Sequence, residues 1–186
     1  MKKTIFPLFH QTYQLSGKHV PFDTKRHGDL SNKVPSALLT EWQNYGFGGF
    51  SDGLIWTSIP NKPILNVDDW TGMDKSGIEV LRTAFADVCL WQNGQFIWLN
   101  PYSGNFTELT SDVDILFEST LTRKSFRDGI LLEPLFKEAI KKYGELTSED
   151  CFGFAPLPSF GGAISKEYLV KVKMREYLSL LAKANN

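Results

Sequence analysis

Asp87-Val88-Cys89-Leu90-Trp91-Gln92-Asn93-Gly94-Gln95-Phe96-Ile97-Trp98-Leu99 decides the fold class. An Asn-Gly pair between two apolar runs is the strongest short hairpin signal, because both residues accept the positive φ of a tight primed turn. Working outward, Ile78 to Thr83 reads as a strand before the hairpin. Asn100-Pro101-Tyr102-Ser103-Gly104 turns the chain into a further strand, Asn105 to Leu109. Leu54-Ile55-Trp56-Thr57-Ser58-Ile59, closed by Pro60, adds another. Consecutive strands joined by tight turns form an antiparallel meander.

Helical periods flank this centre. Residues 3 to 15 suggest a short amphipathic helix, followed by a polar stretch to Lys33. Pro35 opens a helix from Ser36 to Tyr45 with Leu38, Leu39 and Trp42 on one face. Gly46-Phe47-Gly48-Gly49-Phe50 reads as the turn that ends it, and Ile64 to Trp70 as a short helical segment. Past Ser111-Asp112-Val113-Asp114, a variant capping box, the period becomes helical again at Ile115, Leu116 and Leu121. A helix from Glu133 to Tyr143, a strand from Cys151 to Ala155, a weakly alternating run from Tyr168 to Lys173 and a terminal helix from Arg175 to Ala184 complete the chain. The expected class is α+β, an antiparallel β-meander packed with flanking helices.

A chain of 186 residues buries roughly 70% of its unfolded surface, so it needs no disulfide or metal to fold. Its 42% hydrophobic and 22% charged residues exclude a disordered tail and a coiled coil. A net charge of −1 argues against a polyanion-binding surface over the whole protein. Pro7 interrupts the apolar start, so it fails as a signal peptide. No stretch reaches the ~18 apolar residues of a membrane helix, and a cytoplasmic protein is expected. Cys89 and Cys151 sit in apolar settings and read as free buried thiols.

Candidate chemistry is sparse. The glycines at 46–49 follow a helix and precede a strand, the reverse of a dinucleotide fingerprint. His10, His19 and His27 fit no common zinc spacing. Carboxylate pairs such as Asp68-Asp69 and Glu149-Asp150 are suited to acid/base work, but read more simply as caps or solvated surface. No cofactor, metal or catalytic residue is expected. The uncommon feature is charge distribution. Residues 50 to 118 hold ten acids against three bases, a balance of −7, while the segments on either side carry +3 each. That block is either a solvated acidic rim or a surface shaped for a basic partner.

The segment Val34-Pro35-Ser36-Ala37-Leu38-Leu39-Thr40-Glu41-Trp42-Gln43-Asn44-Tyr45-Gly46-Phe47-Gly48-Gly49-Phe50-Ser51-Asp52-Gly53-Leu54-Ile55-Trp56 resembles the signature of the GAD-like domain. Arg82-Thr83-Ala84-Phe85-Ala86-Asp87, the Asn93-Gly94 hairpin and Leu99-Asn100-Pro101 are similar to that family's central strands. Tyr143-Gly144-Glu145-Leu146, Cys151-Phe152-Gly153-Phe154-Ala155-Pro156, Gly161-Gly162 and Val172-Lys173-Met174-Arg175-Glu176-Tyr177-Leu178 resemble the immunity domain that follows it. The implied division is a GAD-like part over residues 1–105 and a helix-rich immunity part over 106–186, in one compact unit.

The resemblance implies an immunity protein of a bacterial type VI secretion system. It would bind a cognate DNase toxin and occlude its active site or DNA groove. The implied partner is that toxin, with no direct nucleic acid and no membrane, and the implied state is a monomer or a toxin-bound heterodimer. A non-catalytic small-ligand or protein-interaction module of the same fold is the alternative. Since a nuclease presents Lys and Arg to phosphates, carboxylates are the natural competitors. The contacts expected on that ground are Asp68, Asp69, Asp74, Glu79, Asp112 and Asp114, with Trp70 as an aromatic anchor.

Overall fold

The structure, a computed structural model, describes residues 4–185. Seven strands form one sheet in chain order: β1 (Leu15–Val20), β2 (Phe47–Phe50), β3 (Ile55–Thr57), β4 (Ile78–Thr83), β5 (Val88–Gln92), β6 (Gln95–Asn100) and β7 (Asn105–Thr110). Every neighbouring pair is antiparallel. Asn93 and Gly94 both take positive φ in the β5–β6 turn, as the primed hairpin requires. A separate ribbon pairs β8 (Asp150–Phe154) with β9 (Leu169–Lys173). The helices are α1 (Pro7–Thr12), α2 (Thr24–His27), α3 (Ser36–Tyr45), α4 (Lys124–Gly129), α5 (Glu133–Tyr143) and α6 (Met174–Asn185). The architecture is the α+β arrangement expected.

Alternation along the strands sends side chains to two cores. On one face Leu81, Cys89 and Trp98 align across β4, β5 and β6. They pack with Trp42 of α3, Phe9 of α1, Phe117 and Phe136 of α5. On the other face Arg82, Val88, Leu99 and Phe106 align across β4 to β7. Helix α6 covers that face with Met174, Tyr177, Leu178, Leu181 and Ala182, the i, i+3, i+4 spacing of one apolar stripe. Single hydrogen bonds tie the C-terminal segments to the sheet region, including Phe152 N–H to the Ala84 carbonyl (2.7 Å) and Tyr13 O–H to the Leu121 carbonyl (2.5 Å). Both cysteines are free and buried.

Three local expectations are corrected. The first helix is only Pro7–Thr12 and gives way to β1, inside the stretch expected to be irregular; the expected start at residue 3 lies outside the described residues. Beyond Gly46, which caps α3 at φ 70, the glycine-rich segment is β2 rather than a turn. A Cβ on Gly48 would run into the His19 ring on β1, so glycine here is what lets two strands approach. The helix expected after Asp114 is a π-helical turn, Ile115–Thr120, followed by α4.

Candidate functional site

The acidic residues singled out in sequence fall on two loops and one strand. The loop between β3 and β4 is tied down by three side chains, one from β4 and two from α6. Glu79 Oε2 on β4 accepts the Ile64 and Leu65 amides (2.9 and 3.1 Å). Arg175 Nη2 donates to the Pro63 carbonyl (2.8 Å), and Ser179 Oγ donates to Asp69 Oδ2 (2.7 Å), both from α6. Leu65 and Trp70 are buried in the α6 core.

This geometry separates the expected contacts. Asp68 and Asp74 are exposed and Asp69 is half-buried on that loop; Asp68 pairs with Lys75. Asp74 Oδ1 accepts the Ser76 amide (2.8 Å) and Oδ2 the Asn93 side chain (3.1 Å), which places it against the β5–β6 hairpin. Those donors, the Ser76 amide foremost, hold its carboxyl down to about 2, so it stays ionised at any physiological pH. Asp112 and Asp114, both exposed, follow Thr110, whose partner across the ladder is Phe96 beside the same hairpin. Asp112 Oδ1 accepts the Asp114 and Ile115 amides (2.8 and 3.2 Å), so the cap is Asp112 acting on the next turn.

Two expected contacts are corrected. Glu79 is 2% exposed and spends one carboxylate oxygen on the loop backbone. Trp70 is 5% exposed and belongs to the core. Neither presents itself to a partner: Trp70 turns inward from the loop into the α6 core, and Glu79 lies on β4 beneath the loop backbone. Conversely, Glu108 lines a depression of about 300 Å³ with Asp74, floored by Ile97 and Phe106. Its signal was the Phe106–Glu108 spacing of two, which puts both side chains on one face of β7. Asp68 is paired with Lys75, and Asp69 bonds Asn66 and Ser179. Among the described residues no group of three or more His, Cys, Asp or Glu is placed to hold a metal ion. No helix among them is long and apolar enough to cross a membrane.

Two parts of the chain match known families. Residues 6–102, just over half of the chain, match the model of the GAD-like domain. The chain belongs to the GAD-like domain family. Behind its GAD-like part, residues 111–184 match the model of the C-terminal domain of T6SS immunity protein Tdi1, so the pairing implied by the sequence is present. The GAD-like match thus covers the strands β1 to β6, and the second match covers everything from the π-helical turn to α6. No curated protein matches in sequence. Among solved structures, Atu4351 from Agrobacterium tumefaciens has a similar fold, with a TM-score of 0.73 at 17% identity over 97% of this chain and 89% of that one.

Proposed function

We propose that this GAD-like protein is a type VI secretion immunity protein that binds a cognate DNase toxin in the cytoplasm and covers its active site or DNA groove. The observation that carries the reading is the ordered match of a GAD-like part and a Tdi1-type immunity domain along one chain. The chemistry of the acidic end of the sheet supports it. Asp68, Asp69 and Asp74 on the loop, Glu108 on β7, and Asp112 and Asp114 beyond it offer carboxylates to the basic groups with which a nuclease holds phosphates. Ile97 and Phe106, between Asp74 and Glu108, supply apolar area for the centre of a contact. The action is binding, not catalysis.

Surface charge of this kind acts first on encounter. Reversing Asp68 and Asp74 to Lys is expected to lower the association rate with the toxin about tenfold at low salt, with a shallower salt dependence. Stopped-flow mixing measures this directly. An unchanged rate and unchanged protection would remove the acidic end of the sheet from the interface.

A further inference from the structure

The β5–β6 hairpin stands between two depressions. On one face lies the acidic hollow lined by Asp74, Ile97, Phe106 and Glu108. On the other, a groove of about 650 Å³ opens between the hairpin and the segment from Arg26 to Lys33. Gln92 and Asn93 line both, so the two are continuous over the hairpin tip. Strand alternation explains the split. Trp91 and Phe96 oppose each other on one face of the hairpin, and Leu90 and Ile97 on the other.

The groove is walled by Leu30, Pro60, Ile78 and Trp91, with Ile78 and Trp91 as cross-strand partners. The indole is held in place. Its Nε1–H donates to the Lys33 carbonyl (2.9 Å), and its ring packs on the buried Phe96 at 4.7 Å. An aromatic wall set in advance loses little side-chain entropy when a partner arrives. Trp42, Trp70 and Trp98 are all buried in the cores, whereas Trp91 is only half-buried and borders a groove. The charged rim is answered from within: Arg26 pairs with Asp23 (3.4 Å) and Lys33 with Asp29 (3.0 Å). What the groove offers is apolar wall, and it suits an apolar side chain better than an ion.

We propose that the groove beside Trp91 receives an apolar side chain of the toxin, so that the toxin straddles the hairpin tip with basic groups on the acidic side and an apolar anchor on the other. This rests on the neutralisation reading above and deepens it: the aromatic anchor of the contact is Trp91, where the sequence pointed to Trp70. Charges set the rate of encounter in such an interface, and a desolvated anchor sets the residence time.

The test is the dissociation rate of the complex between the full chain and the toxin, measured for two variants. Trp91→Ala removes the wall. Asn61→Trp, at an exposed position on the groove, fills it while leaving Trp91 in place, and should leave Tm unchanged. Each is expected to speed dissociation at least about thirtyfold, the loss of a central anchor, with association within about twofold of wild type. That pattern is the opposite of the one expected for reversal of Asp68 and Asp74. A wild-type complex whose dissociation neither variant changes overturns the groove and leaves neutralisation standing. Faster dissociation of Trp91→Ala alone traces the loss to packing within the hairpin, and also overturns it. A dimer of this chain that forms without toxin and is abolished by Asn61→Trp would assign the groove to a second copy instead. No complex between the wild-type chain and the toxin removes both readings together.

Discussion

Asp87 shows how much a single buried carboxyl matters in this sheet. It is 4% exposed at the turn between β4 and β5. There Oδ2 accepts the Thr83 hydroxyl (2.9 Å) and Oδ1 the Trp98 indole N–H (3.3 Å). Burial pushes its carboxyl up to about 7, against the pull of those two donors. A raised folded pKa means the folded state holds the proton more tightly than the unfolded chain. The stabilisation is therefore complete below about pH 4 and is lost as pH rises through 7. Asp87→Asn removes that dependence. Relative to wild type, the variant should gain about 1.4 kcal/mol per pH unit between pH 4 and 7 and level off above. Denaturant melts at four pH values across this window measure it, and parallel curves for the two proteins would contradict the assignment. Glu79, near the start of β4, carries the same lesson in another form: its acidity in the sequence pointed to a partner surface, and its burial puts it under the loop.

At the scale of elements, the meander was legible from its Asn93–Gly94 hairpin and the tight turns between its apolar runs, and α5 from its helical period. The Asn93–Gly94 turn and the strands Ile78–Thr83 and Val88–Gln92 stand where the pattern put them. β1 was not legible. It is an edge strand whose ladder shifts register between Ser16 and Val20, and Gly17 has φ 67, so no alternation survives. β2 was hidden by its own glycines, and the π-helical turn by a helical period that gives no sign of which i-to-i+n bond will form. Of the partner surface, the acidic balance was readable but the inward turn of Trp70 was not, since it depends on α6, far away in sequence. Two substitutions probe these elements. Leu178→Ala on α6 opens a cavity against the sheet and should cost about 2–5 kcal/mol of unfolding free energy. Gly48→Val should be as severe, because its side chain meets the His19 ring. Chemical denaturation reads both; a loss under 1 kcal/mol at Gly48 would mean that β1 yields easily and contributes little.

As a whole the molecule is built on one seven-stranded sheet used on both faces, beside the β8–β9 ribbon, and the C-terminal segment packs on both: Phe117 and Phe136 on one face, α6 on the other. Two bonds fix this packing: Phe152 N–H donates to the Ala84 carbonyl (2.7 Å) and Arg82 Nη2 to the Ser148 carbonyl (2.5 Å). The acidic loop is braced by α6 through Arg175 and Ser179, so the proposed contact surface keeps its shape only with the C-terminal part in place. The most direct test is to co-express the full chain with its proposed cognate DNase toxin, co-purify the pair and assay DNA degradation. Neutralisation predicts a stable complex and intact DNA, with degradation restored when this chain is omitted. DNA degraded to the same extent with and without this chain, and no complex recovered, would contradict it.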